Sequence, residues 1–159
     1  MTDTDVPTAS SDLVDDIAHM VRAAGEITLE WFRHEHLSVD RKGDGTPVTA
    51  ADRAAERFLR EEIEKRWPDD SIVGEEEGDR RGTSDRTWVI DPIDGTKAFT
   101  QGVPLYTNLL ALEDAHGPLV GIINVPALGE TVAAGRGAGC TLNGQPCSVS
   151  DKAELSGSY

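Results

Sequence analysis

The chain has 159 residues, of which 29 are acidic and 15 basic, for a formal charge of -14 at pH 7. This length suits one domain with a core or part of a larger domain, and 38% hydrophobic residues exclude a chain disordered by composition. The acid excess argues against binding to nucleic acid or to an anionic membrane. The first 21 residues carry five Asp and no Lys or Arg, unlike a targeting segment, so we expect a cytoplasmic protein.

The predicted elements begin with a polar stretch, residues 1–10, which is interpreted as a flexible leader. From Ser11 onward, apolar residues recur at spacings of three and four, which predicts a helix. Ser11 or Asp12 is the predicted N-cap, and the helix is expected to end between His34 and Leu37. The apolar residues of this pattern are Leu13, Ile17, Met20, Val21, Ala24, Ile27 and Trp31.

A second helix is predicted after a polar loop. Thr49 and Asp52 resemble a capping box in which Asp replaces the usual Glu, and Pro68 is expected to stop the helix. Asp52 therefore falls in the first helical turn. The apolar stripe consists of Ala51, Ala54, Ala55, Phe58, Leu59 and Ile63.

The hydrophobic period then changes to two, which predicts strands. The stretches are SIVG, TWVI, YTNLLAL, LVGIINV, ETVAAG and GCTLNGQPCSV, and the Asn-Gly pair in the last predicts a hairpin. Two helices followed by strands predict an α+β fold, with two long helices packed on a mainly antiparallel sheet. Cys140 and Cys147 flank the hairpin turn, where a bridge is geometrically feasible, but two reduced thiols are the expectation.

The stretch WVIDPIDGTKAF carries the densest chemistry. Asp91 follows three apolar residues, so we expect it where a buried strand ends, and Asp94 lies three residues on. Carboxylates this close share either a proton or a cation, and hard cations such as Mg²⁺ prefer oxygen ligands. Pro92 restricts the backbone between them, and Ile93 can offer its carbonyl oxygen. The alternative is an ordinary Asp-rich turn.

Gly95 and Thr96 follow at the predicted start of a short helix, where backbone N–H groups bind anions. Carboxylates for a metal beside amides for a phosphate are typical of metal-assisted phosphoryl transfer or hydrolysis. The stretch IVGEEEG adds a second acidic cluster after a short strand. Glu75 is the candidate ligand there and Glu77 is expected to face solvent, while the alternative is a solvated acidic loop.

The stretches DGTPVTAAD, IVGEEEG and WVIDPIDGTKAF occur in the order and spacing of one family. In these stretches the chain resembles the inositol monophosphatase family of magnesium-dependent, lithium-sensitive phosphatases, over roughly residues 12–155. The resemblance implies a layered α/β sandwich of which residues 11–159 form the N-terminal helix-plus-sheet part, with the C-terminal part missing. That missing layer would carry a Trp-Asp motif for the second metal ion.

The resemblance also implies the site residues. Glu75, Asp91 and the Ile93 carbonyl resemble the ligands of a first Mg²⁺, and Asp91 and Asp94 resemble those of a second. Two or three Mg²⁺ ions and inhibition by Li⁺ are therefore expected.

The remaining roles are implied in the same way. Thr96 and Asp52 resemble the pair that positions the attacking water, and Glu75 is counted with them as catalytic. The Gly95 and Thr96 amides, together with Asp94 and Lys42, are the expected substrate-binding groups.

The Lys that follows DGT, and the turn after it, most resemble the bacterial histidinol-phosphatase branch. This implies hydrolysis of L-histidinol phosphate to L-histidinol, in histidine biosynthesis. Alternatives are an inositol-1-phosphate phosphatase, a sulfur-assimilation nucleotide phosphatase, and a truncated, non-catalytic fragment that only binds metal and phosphate. The expected partner is a small phosphomonoester, with no nucleic acid and no membrane, and a homodimer is left open.

Overall fold

The structure is a computed structural model that describes residues 6–34, 38–41, 43, 47–154 and 156. Its helices are α1 (Ser11–Trp31), α2 (Ala50–Arg66) and α3 (Thr96–Thr100), with a 3₁₀ turn at Pro126–Leu128. Its strands are β1 (Val39–Arg41), β2 (Pro47–Thr49), β3 (Ser71–Gly74), β4 (Thr87–Asp94), β5 (Thr107–Asp114), β6 (Gly117–Val125), β7 (Glu130–Gly135), β8 (Gly139–Leu142) and β9 (Gln145–Pro146).

The strands β3 to β9 form one seven-stranded sheet in sequential order, and β1 pairs with β2 in a separate ribbon. Only β3 and β4 run parallel in the larger sheet, because the chain crosses over between them; every later pair is antiparallel. The expected α+β fold, with two long helices on a mainly antiparallel sheet, is confirmed.

The core lies between the two long helices and one face of the sheet. Alternate strand residues point to that face, and the largest of them are completely or almost completely buried. The opposite face carries apolar side chains that are partly exposed. The buried set includes Val21, Leu59, Trp88, Leu110, Leu112 and Ile122; the exposed set includes Val73, Val89, Ile123 and Leu142.

Helix α1 differs from its prediction at both ends. Ser10 is the N-cap and accepts a hydrogen bond from the Leu13 amide, so neither Ser11 nor Asp12 is the cap. The helix ends at Trp31, earlier than expected, because Phe32 turns extended and Arg33 adopts a φ of 60°. The Phe32 ring then packs 5.2 Å from the Tyr106 ring, a tertiary contact that the periodicity does not encode.

The stretch before α1 is anchored from Pro7 onward, which corrects the expected leader of residues 1–10 at its C-terminal end. Ala9 is 7% exposed, and its amide donates to the Arg136 carbonyl at 2.8 Å. The Arg136 guanidinium donates to the Pro7 carbonyl at 3.0 Å. Residues 1–5 lie outside the described part of the chain.

The second helix and the hairpin agree with their predictions. Thr49 and Asp52 form both halves of the capping box at the start of α2, and the helix ends at Arg66, just before Pro68. Asn143 and Gly144 connect β8 and β9 with φ of 49° and 77°, the left-handed pair that a two-residue hairpin favours. No helix in the described part of the chain is long and apolar enough to cross a membrane.

Candidate active site

The sequence predicted that strand β4 ends at Asp91. The strand instead continues to Asp94. The register against β5 shifts between Asp91 and Asp94, so β4 carries one extra residue there. Pro92 lies in this bulge, where its missing N–H removes no ladder hydrogen bond. The bulge therefore fixes the relative positions of Asp91 and Asp94, both of which remain paired with β5.

Gly95 makes the sharp exit from the bulge. Its φ is 87°, in the left-handed region, and it is the N-cap of α3. A side chain here would be strained by the backbone, and an added Cβ would lie 3.4 Å from the Leu105 carbonyl oxygen. The expected helix start after DPID is confirmed, with Gly95 and Thr96 at the turn.

Thr96 and Asp52 meet across 44 residues of chain. The Thr96 hydroxyl lies 3.4 Å from Asp52 Oδ1 and 3.1 Å from the Ile93 carbonyl oxygen, two acceptors that share its single proton. Asp52 is 1% exposed, and its other oxygen accepts from the Thr49 amide at 2.8 Å and the Thr49 hydroxyl at 2.5 Å. The capping box thus holds Asp52 in place for Thr96.

The acidic loop after β3 is fixed by Glu56, a buried carboxylate that was not predicted from the sequence. Glu56 is 0% exposed and accepts from the Glu76 amide at 2.7 Å and the Glu77 amide at 3.0 Å. Arg60 donates to Glu56 at 2.8 Å and also to the Gly78 carbonyl. These contacts position the backbone that carries Glu75, whose own side chain is exposed.

A sequence signal for this cluster exists. Asp52, Glu56 and Arg60 follow each other at i, i+4 spacing, a charged stripe beside the apolar stripe of α2. Gly74 lies directly against it, because an added Cβ would overlap Glu56 Oε1 and the Arg60 guanidinium. Both observations mark a close contact between α2 and the end of β3.

The parallel register places the two acidic segments side by side. Gly74 pairs with Ile90, so Glu75 and Asp91 follow at neighbouring positions at the ends of these paired segments. Within the described residues, however, no three His, Cys, Asp or Glu side chains are grouped to hold a metal ion. Lys42, the expected phosphate contact, lies outside the described residues.

A second feature missed from the sequence is a line of buried side chains, here called the buried polar chain: Asn108, Asn124 and Thr131. Asn108 donates to the Pro92 carbonyl at 2.6 Å, Asn124 donates to Asn108 Oδ1 at 3.0 Å, and the Thr131 hydroxyl donates to Asn124 Oδ1 at 2.8 Å. All three are at most 4% exposed. The sequence does carry a signal for the two asparagines, because each occupies a position on the helix-facing side of its strand where an apolar residue is expected.

A cluster of apolar and aromatic side chains packs against the bulge through Ile93. Ile93, Phe99 and Tyr106 form a buried cluster, and the Phe99 and Tyr106 rings meet edge-to-face at 4.8 Å. Burial raises the pKa of Tyr106 above 10.0, although its hydrogen bond with Thr28 opposes the shift. The phenol therefore stays neutral and contributes packing rather than charge.

The candidate ligands at the site end of the sheet share one type of donor atom. Glu75, Asp91, Asp94 and the Ile93 carbonyl are all hard oxygen donors, the type preferred by Mg²⁺. Beside them lies a hydroxyl oriented by a buried carboxylate. Such a set suits hydrolysis of a charged ester.

The family model of the inositol monophosphatase family matches residues 11–159. The chain belongs to this family. Among curated relatives, it is 47% identical over 139 residues to the histidinol-phosphatase of Chlorobaculum parvum, covering 87% of this chain and 54% of that protein. It is 42% identical over 137 residues to the histidinol-phosphatase of Mycobacterium tuberculosis, covering 83% and 53%.

Solved structures agree with the fold. The extragenic suppressor protein suhB of Bartonella henselae matches with a TM-score of 0.85 at 29% identity, covering 91% of this chain and 57% of that one. The IMPase of Thermotoga maritima matches with a TM-score of 0.80 at 36% identity, covering 89% and 55%. The chain thus spans about half the length of the relatives it matches, with shares of 54% for the Chlorobaculum parvum protein and 55% for the Thermotoga maritima structure.

Proposed function

We propose that the complete gene product hydrolyses a small phosphate monoester, with L-histidinol phosphate as its substrate and L-histidinol and phosphate as products. The observation that carries the proposal is the meeting of Thr96 with the buried Asp52 beside the bulge of Asp91 and Asp94. The family membership gives the reaction class: a phosphoric monoester hydrolase.

The proposed roles begin with the reacting water. Asp52 is held by its capping box, so it can fix the Thr96 hydroxyl, and Thr96 can orient a water for attack on phosphorus. Positioning of this kind supplies much of the barrier reduction in phosphoryl transfer. The amides of Gly95 and Thr96 are proposed to bind the ester phosphate, together with Asp94 through a bound cation and with Lys42.

A divalent cation, Mg²⁺, is proposed to be held by Glu75, Asp91, Asp94 and the Ile93 carbonyl. The donor set fits a hard cation, and the carbonyl retains a second lone pair when it accepts from Thr96. Such a cation supplies charge neutralisation and a lowered pKa for a water ligand. The bulge and the Glu56 contacts hold these donors on neighbouring backbone positions.

The choice of substrate rests on the relatives. Histidinol-phosphatases of Chlorobaculum parvum, Streptomyces coelicolor and Mycobacterium tuberculosis are 47%, 45% and 42% identical to this chain. Two inositol monophosphatases of Solanum lycopersicum are 35% identical. This difference favours histidinol phosphate over inositol 1-phosphate.

The test is phosphate release by the complete gene product with Mg²⁺, compared across L-histidinol phosphate, inositol 1-phosphate and adenosine 3′,5′-bisphosphate. We expect kcat/KM for histidinol phosphate to exceed the others at least about tenfold, equal to about 1.4 kcal/mol of transition-state preference. Equal values on the three esters would contradict the substrate, and no release from any would contradict the reaction. A chelator added to the same assay is the control for the cation.

A further inference from the structure

The two cysteines face each other across the last hairpin. Thr141 pairs with Pro146 and Leu142 with Gln145, so the next pair outward is Cys140 and Cys147. The Cys147 amide donates to the Cys140 carbonyl at 3.0 Å, which confirms that these residues are directly opposite. Side chains of an opposed antiparallel pair project to the same face of the hairpin.

The sulfur atoms are already in contact. Cys147 Sγ lies 3.5 Å from Cys140 Sγ, and both cysteines are free thiols. Residues of a hydrogen-bonded antiparallel pair have Cα atoms about 5.5 Å apart, inside the range of about 4.4–6.8 Å found in disulfides. Closing the sulfurs to a bond of about 2.05 Å therefore needs side-chain rotation rather than movement of the strands.

We propose that Cys140 and Cys147 are a redox modification site, which forms a reversible cross-strand disulfide by exchange with a low-molecular-weight disulfide. Cys147 is exposed and Cys140 is partly exposed, so a small reagent can reach the pair. The tight Asn143-Gly144 turn keeps the two thiols opposed. The proposal is independent of the phosphatase reaction, because β8 lies four strands from β4 in the sheet order.

The reaction proceeds in two exchanges. The Cys147 thiolate attacks one sulfur of the small disulfide, which forms a mixed disulfide and releases one small thiol. The Cys140 thiolate then attacks Cys147 Sγ, forms the bond between the two cysteines and releases the second small thiol. Two protein thiols are oxidised and one small disulfide is reduced to two thiols, with both protons passing to the products.

The contact between the sulfurs also shapes the rate. The hydrogen bond to Cys140 raises the pKa of Cys147 above its ordinary 9.0. Because the thiolate is the attacking species, the first exchange is slow at neutral pH and accelerates as pH rises. The second exchange is intramolecular and stays fast, since the hairpin supplies a high effective concentration of Cys140.

The experiment incubates the reduced protein with oxidised glutathione and follows it by mass spectrometry and free-thiol titration. We expect loss of both thiols and of two hydrogens in the peptide that spans 140–147, with the closed form exceeding the mixed disulfide about tenfold. Dithiothreitol should restore both thiols. A protein that keeps both thiols free, or one that stops with both cysteines capped by glutathione, overturns the proposal.

Two variants provide the controls. Cys140→Ser removes the resolving thiol, so we expect it to stop at the mixed disulfide on Cys147. The double variant C140S/T141C keeps two thiols in the hairpin but moves one to the opposite face of β8, since neighbouring strand residues alternate. Closure of the double variant as readily as the wild type would overturn the proposal, and circular dichroism verifies that both variants fold.

Discussion

An arginine–carboxylate pair lies at each end of the sheet, and the two pairs make different contacts with the surrounding backbone. At the site end, where Asp94 pairs with Thr107, Arg60 contacts Glu56 at 2.8 Å, and the carboxylate accepts from the amides of the acidic loop. At the far end, where β5 finishes, Arg136 contacts Asp114 at 2.9 Å, and the arginine donates to surrounding carbonyls. The first cluster is centred on an anion, the second on a cation.

The charged groups at the two ends of the sheet have different roles. Both pairs are largely shielded, with side chains 10% and 0% exposed for Arg60 and Glu56, against 19% and 10% for Arg136 and Asp114. The far pair neutralises itself and ties the strand ends and Pro7 together. The site end instead carries Glu75 and Asp91 at neighbouring backbone positions, where we propose that a cation binds.

The largest expected effect comes from breaking the anion-centred cluster. Glu56→Ala leaves the buried Arg60 without its carboxylate, so we expect a loss of about 3–5 kcal/mol in the free energy of unfolding, measured by urea denaturation. The matched control is Glu62→Ala on the same helix, whose partner Arg66 is 40% exposed; such pairs contribute at most about 1 kcal/mol. Equal losses in the two variants would contradict the central role of Glu56.

The next effect tests how the site end is tied to the rest of the sheet. Asn124→Leu removes a donor from Asn108 and an acceptor from Thr131, so we expect a loss of about 1–3 kcal/mol, by the same measurement. Thr107→Val is the control, because Thr107 Oγ1 is buried without a hydrogen bond to the described residues. Its replacement should leave stability unchanged or raise it. If Asn124→Leu left the free energy of unfolding unchanged, the buried polar chain would not support Pro92.

A smaller effect separates backbone strain from function at the two ends. Gly95 at the site end and Gly117 at the far end have φ of 87° and 95°, so alanine at either should cost about 1–2 kcal/mol. Only Gly95→Ala should also lower kcat/KM for phosphate release, by about tenfold for each 1.4 kcal/mol of lost phosphate binding. Equal kinetic losses in the two variants would remove Gly95 from the phosphate site.

The smallest effect concerns acid stability at the far end. The hydrogen bonds from Arg136 lower the pKa of Asp114 from 3.8 to about 2. A lowered pKa in the folded state stabilises the protein above pH 3.8, and this contribution is lost as pH falls through about 2. We therefore expect Asp114→Asn to melt below the wild type at neutral pH and to converge with it near pH 2; a gap that widens in acid would contradict the pairing.

Much of the fold was predictable because local rules and tertiary structure agree. The capping box of Thr49, the stop before Pro68 and the Asn143-Gly144 hairpin each follow from short-range chemistry. The end of α1 was not predictable, because the Phe32 ring leaves the helix to join Tyr106, far along the chain. The strand continued past Asp91 because β5 pairs with both sides of the bulge.

The sequence predicted the candidate carboxylates, the contact between Thr96 and Asp52 and the helix start at Gly95, but not the buried groups that hold them in place. Asp91, Asp94 and Glu75 could be identified as candidates because they are acids next to predicted strands. Glu56 does not, since a Glu on a helix is usually a solvated charge, and only Gly74 packing against it reveals its burial. The contribution of Asn108 likewise depends on its partner in the next strand.

The most direct test of the proposed metal site is Mg²⁺-dependent phosphate release from L-histidinol phosphate by the complete gene product carrying Asp91→Asn. We expect kcat to fall at least about 100-fold, equal to about 2.7 kcal/mol of barrier, because Asp91 lies where both acidic segments meet. Asp85→Asn, an exposed acid in the preceding loop, is the matched control and should keep full activity. Unchanged turnover in Asp91→Asn would contradict the proposed metal site.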